Sequence, residues 1–283
     1  MYFHVAAYVI LVLALLILSF YLNRKNKKLR IPFLISAGAV AVLGRFFSGR
    51  TDILLGMFPF SGTVFYANFY PFAAALGAPA AFYLGQNRFQ RIRIAVLCTA
   101  LLILSFIPSR FIGAKTHGNG NSRFDDNGVC LQSSCDTCSA AAGATLLHHY
   151  GIETSEKEVA SLALTKKNAG TDRAGLYRAL KLISSERGDL KVKLQRLSAR
   201  ELLSLNKPAL ITVGLRKNPQ TRMEKDLARK FNWDPGAVHD VVFLGVDEEN
   251  PGKVKIGEPQ FGLERWKEEA LITLFKGSAI FLE

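Results

Sequence analysis

Residues 129–151 read VCLQSSCDTCSAAAGATLLHHYG, and this stretch decides how the rest of the chain is read. Cys130, Cys135 and Cys138 crowd together, then the sequence turns small and apolar and closes at Gly151. A helix is expected from Cys138 to Tyr150, with Gly151 as its C-cap. A helix N-terminus points N–H groups and a positive dipole end at whatever sits there, which favours a thiolate at Cys138. Gln132 lies six residues upstream, and its amide could hold an oxyanion as a carbonyl is attacked. His148 and His149 sit at the negative end of the helix dipole, which accounts for them without a catalytic role.

The cluster admits three chemistries. Cys138 could be a nucleophile, which needs an imidazole oriented by a third group. Cys135 and Cys138 form C-x-x-C at a helix start, where thiol–disulfide exchange sits, although the βαβ order of a thioredoxin-like site is absent around them. A zinc site lacks a second C-x-x-C pair, and the helix carries His148 and His149 away. No metal and no cofactor is therefore expected.

Downstream, Thr154 or Ser155 can cap a second helix, with Glu158 completing a capping box from Ser155. Residues 173–186 make a third, with Leu176, Leu180 and Ile183 at helical spacing. Strand-like runs follow at 190–195, 208–214, 238–246, 253–257 and 278–282. Helices first and strands afterwards read as α+β. His239 opens the apolar run 238–246, and the next run ends in Glu258-Pro259, which offers a carboxylate to the imidazole; Asp240 and Asp247 offer others. Residues 216–233 (RKNPQTRMEKDLARKFNW) carry Met223, Leu227 and Phe231 at i, i+4, i+8, which reads as a surface helix with an apolar underside, the alternative being an insertion near the site that docks on anionic lipid headgroups or gates the substrate. Trp266 is expected in the core.

Upstream the chain changes character. It has 283 residues and a formal charge of +13, which first suggests nucleic acid. Residues 1–115 hold 12 basic residues and 1 acidic residue, whereas residues 116–283 hold 24 and 22. The basicity thus belongs to the apolar half, where it orients a membrane protein rather than holds phosphate. Residues 4–22 are long enough to span a bilayer and lack the basic n-region and cleavage site of a signal peptide. Residues 31–46, 66–85 and 94–112 read as further spans, and 53–60 is too short to cross. Arg45 and Arg110 fall at span ends, where snorkelling suffices. The basic loops 23–30 and 86–93 belong in the cytoplasm, so four spans place the region after residue 113 outside. The chain then divides into a transmembrane helical domain (1–114), a Gly/Asn/Asp-rich linker (115–128) and a second domain (129–283).

The second domain resembles the bacteriocin-leader, or double-glycine, cysteine peptidases. The likeness rests on Gln132-x5-Cys138 with its small-residue helix and HHYG, on NAGTDRAGLYRAL (168–180), on His239-Asp-Val-Val, and on Ile-Gly-Glu258-Pro259…Gly262. It implies a papain-like α+β fold, here after about four transmembrane spans. It implies Cys138 as nucleophile, His239 as general base and acid, Glu258 as the group orienting the imidazole, and Gln132 in the oxyanion hole. Substrates would be peptides cut after two small residues, of the Gly-Gly type. Two residues depart from the family pattern: Ser139 stands where the family has Gly, and Glu258 where it has Asp. No G-x-x-x-x-G-K-[ST] is present, so the expectation is a membrane-anchored form without the transporter ATPase.

The expected protein is a bacterial inner-membrane, multi-pass cysteine endopeptidase with its peptidase domain outside the cytoplasm. Its partners would be a small-residue peptide substrate, the lipid bilayer and a membrane secretion partner, with no nucleic acid. A Cys130–Cys135 disulfide would persist there and brace the Gln132 loop. Two other functions remain open: an inactive peptidase-like module that binds a peptide uncut, and a membrane thiol–disulfide oxidoreductase using Cys135 and Cys138.

Overall fold

The structure is a computed structural model that describes residues 2–47, 50–107, 122–231 and 234–283. It falls into two compact units, Met1–Gly113 and Ala114–Glu283.

The first unit is helical: α1 (Tyr2–Lys25), α2 (Arg30–Phe47), α3 (Thr51–Met57), α4 (Thr63–Tyr66), α5 (Tyr70–Leu84) and α6 (Arg88–Ser105). Phe3–Lys25 and Lys27–Phe47 are long and apolar enough to cross a membrane. The expected span 66–85 is interrupted, because Asn68 turns the chain between α4 and α5: its amide donates to the Ser105 carbonyl and its Oδ1 accepts the Tyr70 N–H. The 15 residues of α5 reach only about 22 Å at the helical rise, short of a hydrocarbon core of about 30 Å. The apolar run of α6 begins only after Arg88, Arg91 and Arg93, and the end of the expected span, residues 108–112 with Arg110, lies outside the described residues, as do residues 115–121 of the linker. Two membrane-length helices therefore stand among the described residues where four spans were expected.

Helix α5 packs against α1, α2 and α6 through small residues. A Cβ on Gly77 would lie 3.1 Å from that of Ala37, so glycine lets the two helix backbones approach. Two buried hydroxyls are paired inside: that of Tyr8 donates to the Asn68 carbonyl and that of Ser19 to the Leu76 carbonyl. The outer faces are apolar, with Ile17, Ile35, Val42, Val96 and Ile103 largely exposed. Faces of that size and character call for lipid or a partner.

The second unit begins with a short hairpin, β1 (Arg123–Phe124) and β2 (Cys130–Leu131). Three helices follow: α7 (Cys138–His149), α8 (Glu156–Ala163) and α9 (Arg173–Arg187). The rest alternates: β3 (Val192–Arg196), α10 (Ala199–Leu203), β4 (Ala209–Gly214), α11 (Arg222–Phe231), β5 (Val238–Val246), β6 (Lys253–Glu258), β7 (Gly262–Lys267), α12 (Glu268–Leu274) and β8 (Phe275–Leu282). The six longer strands form an antiparallel sheet in the order β3-β8-β4-β5-β6-β7.

Alternation along the strands makes two apolar faces. Ile211, Val213, Val241, Phe243, Val254, Ile256 and Phe281 join Leu202, Leu227, Leu271, Leu274 and Trp266 in one core, beneath α10, α11 and α12. Helix α7 packs on the sheet against β4, β5 and β6, with α8 and α9 beside it. It is buried from Ser139 to Leu147, which explains the run of alanines. A Cβ on Gly143 would already sit 3.0 Å from Val159 and 3.3 Å from Leu176, so a larger side chain has no room.

Candidate active site

Cys138 is the first residue of α7, placed there by the loop before it. Thr137, fully buried, donates its hydroxyl to the Ser134 carbonyl and accepts the Ser134 N–H, which closes the turn into the helix. Glu156 at the start of α8 accepts the Ser133 N–H at 2.8 Å and the Ser133 hydroxyl at 3.1 Å. Asp136 accepts the Asn168 N–H at 3.0 Å, which pins the 166–170 turn beside the cysteine. That turn closes through Lys166 and Gly170, with Asn168 and Gly170 both at positive φ. These braces explain how a loop with little apolar content holds one shape.

His239 lies at the start of β5 and lines the same cleft as Cys138; its Nε2 hydrogen-bonds Glu258, and its ring is close enough to interact with the Cys138 thiol. Burial alone would push the His239 pKa down, but the hydrogen bonds and charges of Cys138 and Glu258 outweigh it and lift the value to about 10. The imidazolium is therefore favoured at neutral pH.

Glu258 is 1% exposed. One carboxylate oxygen takes the imidazole; the other accepts the N–H groups of Gln260 and Phe261, each at 3.0 Å. The tight turn after Pro259 aims both amides back, so the methylene that Glu adds over Asp is held rather than free. Asp125 clasps the same turn, accepting the Leu263 N–H at 3.0 Å. Burial would raise the Asp125 pKa, but the amides of Val129, Leu263 and Asn127 bring it below its usual range. Gly262, at φ +89°, is required here, because a Cβ would lie 2.6 Å from the Asp125 carboxylate.

Gln132 is tied to this turn through its N–H to the Pro259 carbonyl at 2.7 Å. Its side-chain Oε1 is buried with no protein partner. Cys138, His239 and Glu258 thus converge, and Gln132 is anchored one residue beyond Glu258.

Other expectations change. The Cys130–Cys135 bridge is absent, and all four cysteines are free thiols. Cys130 is buried on β2, where its N–H donates to Thr145, while Cys135 is exposed on the loop. Burial, reinforced by the nearby Glu156 charge, pushes the Cys130 thiol up to about 12. Neither alternative aspartate orients the imidazole. Asp247, beyond the far end of β5, pairs with Arg265 at 2.8 Å. Asp240 accepts Ser139 and Thr212, each at 2.6 Å. The sequence carried no signal for the Glu156–Ser133, Asp136–Asn168 or Asp125–Leu263 braces, which join residues distant in the chain. Among the described residues, no group of three or more His, Cys, Asp or Glu is placed to hold a metal ion.

Cys138 and His239 line an open cleft of about 780 Å³ whose wall includes residues 168–171, Asp136, Asp234 and Asp240. No lysine or arginine lines it among the described residues. The cleft is thus large enough for a few residues of extended peptide, with an acidic rim in a chain that is basic overall.

No protein-family model and no curated protein matches the chain. Solved structures similar to it include a double glycine motif protease from an AMS/PCAT transporter in complex with the leader peptide, 18% identical, with a TM-score of 0.40, covering 59% of this chain and 94% of that one. Another is the peptidase domain of Streptococcus ComA, a bi-functional ABC transporter of a quorum-sensing pathway, 20% identical, TM-score 0.39, covering 54% and 94%. A third is the N-terminal peptidase-like domain of a toxin secretion ATP-binding protein from Vibrio parahaemolyticus, 14% identical, TM-score 0.37, covering 53% and 98%.

Proposed function

We propose that the chain is a membrane-anchored cysteine peptidase that cuts peptides after small residues of the Gly-Gly type. One observation carries this reading: a thiol at the N-terminus of a buried helix shares a cleft with an imidazole whose Nε2 meets a fully buried carboxylate. Cys135 lines the same cleft as an exposed free thiol, but the imidazole interacts with Cys138. The small-residue preference comes from the motif resemblance.

The Cys138 thiolate attacks the scissile carbonyl carbon, and the carbonyl π pair moves to oxygen as a tetrahedral oxyanion. Gln132 supplies the side-chain amide N–H for that oxyanion. His239, as imidazolium, gives its proton to the leaving amine while the C–N bond breaks, which leaves a thioester on Cys138. Neutral His239 then takes a proton from water, the hydroxyl adds to the thioester carbonyl, and the thiolate leaves with the carboxylic acid released. Glu258 keeps the imidazole ring aimed throughout and stabilises its charged form.

The two membrane-length helices and the apolar outer faces support a place in the membrane, here the bacterial inner membrane. The basic stretch at 23–30, between these two helices, supports its retention in the cytoplasm. Such a tether confines the enzyme to substrates that emerge near the bilayer.

The test is incubation of the full chain in detergent with peptides carrying an internal Gly-Gly, read by mass spectrometry. Cleavage after the second Gly, lost in Cys138→Ala and in His239→Ala, is expected. Stoichiometric binding without cleavage would replace the enzyme with a peptide-capture module.

A further inference from the structure

Ser139 and Asp240 stand outside the mechanism, yet each directly follows a reacting residue: Ser139 follows Cys138, and Asp240 follows His239. Across 101 residues of sequence the Ser139 hydroxyl donates to Asp240 Oδ2 at 2.6 Å. The other oxygen, Oδ1, accepts Thr212 Oγ1 at 2.6 Å and lies 3.5 Å from Arg173 Nη2. The carboxylate is thus held by donors from α7, β4 and α9, and its side chain is only 13% exposed. A serine in the first turn of a helix ordinarily spends its oxygen on the backbone; this one is spent on another element.

We infer that Ser139 and Asp240 form a clamp that sets the separation of Cys138 from His239, and that both are positioning residues for the reaction. The inference rests on the peptidase reading. Successive side chains of a strand point to opposite sides, so fixing Asp240 fixes the direction in which His239 leaves β5. Fixing Ser139 likewise fixes the rotation of the α7 N-terminus that presents Cys138. A bond between the two neighbours therefore constrains both reacting groups at once, from the side that Glu258 does not reach. Charge-assisted hydrogen bonds of this kind are short and directional, which suits a spacer. The clamp also gives Ser139 a purpose: a glycine at that position carries no hydroxyl for Asp240.

The test is site-resolved alkylation of the full chain in detergent micelles by iodoacetamide, from pH 5 to 9. Cys135, exposed, serves as the ordinary thiol in the same sample, and Cys130, buried, reports loss of the fold. The wild type is expected to alkylate Cys138 well below pH 7, where an ordinary thiol is nearly inert. Ser139→Ala and Asp240→Ala are each expected to lower that acid-side rate by about tenfold, the scale of one lost hydrogen bond to a charged group. Cys135 should be unaffected, and Ser139→Thr, which keeps the hydroxyl, should restore the rate. If Asp240→Ala exposes Cys130, Ser139→Ala decides the question alone. Unchanged Cys138 profiles in the variants, with an acid-side plateau in the wild type, would overturn the clamp and leave the peptidase reading intact. A wild type without that plateau would overturn both.

Discussion

Replacing Glu258 by glutamine keeps the size of the side chain but removes its charge and turns one of its two acceptors into a donor. The wild-type carboxylate serves the His239 imidazole with one oxygen and two turn amides with the other. A glutamine can satisfy one side only, and its NH2 then faces N–H donors on the other. Cys138 and Glu258 together raise the His239 pKa to about 10, well above the roughly 6.5 of free imidazole, against the opposing effect of burial. Leaving the buried imidazole and the two turn amides without that carboxylate costs roughly 3–5 kcal/mol, the usual range for breaking a buried ion pair from one side. For a unit of this size that lowers the melting temperature by roughly 6–20 °C. The pH dependence has a definite sign. A group raised in the folded state stabilises fully below its unfolded value, and that stability drains away as the pH climbs through its folded value. Wild-type stability should therefore fall from about pH 6.5 to about 10, and the fall should be shallower in Glu258→Gln. Trp266, buried in the core of the second unit, lets tryptophan fluorescence follow its melting in the full chain. Parallel melting-versus-pH curves for the two proteins would show that Glu258 does not hold the imidazolium.

Other perturbations follow from the same contacts. Gly175→Ala places a Cβ 2.1 Å from the Ala163 carbonyl; α8 and α9 must separate, at a cost of at least about 2 kcal/mol in the same melt, and an unchanged transition would refute that packing. Native Cys130, buried and pushed up to about 12, should resist iodoacetamide at pH 8 until denaturant is added, while Cys135 labels at once; early labelling of Cys130 would place it elsewhere. With α1 and α2 embedded in lipid, the full chain should stay with membranes through alkaline carbonate washing, and its release would restrict the apolar faces to protein contacts.

Much of the second unit is written locally in the sequence. The helix at Cys138, the Ser155 cap and β5 all emerge where small-residue bias, capping chemistry and apolar runs place them. Strand β7 escapes because it is an edge strand: GLERWK mixes charges with its one buried aromatic, Trp266, as solvated edges do. Helices α10 and α12 are too short for a periodicity to declare itself. In the first unit, hydropathy reads apolar length but not the turn that Asn68 makes between α4 and α5. In the site, Cys138, His239 and Glu258 are legible because their motifs are local. The partners of Asp240 are not, since a salt bridge or hydroxyl bond across the sheet leaves no trace in spacing. The cysteines mislead for the same reason: closeness in sequence suggested a bridge, yet a β-strand buries Cys130 while a loop exposes Cys135.

The most direct test of the account is covalent capture at the nucleophile by a peptidyl chloromethyl ketone ending in Gly-Gly, applied to the full chain at pH 6 and mapped by mass spectrometry. Labelling of Cys138 alone, abolished in His239→Ala, is the expected result. Equal labelling of Cys135, or labelling of Cys138 that survives His239→Ala, would contradict a thiolate prepared by its imidazole.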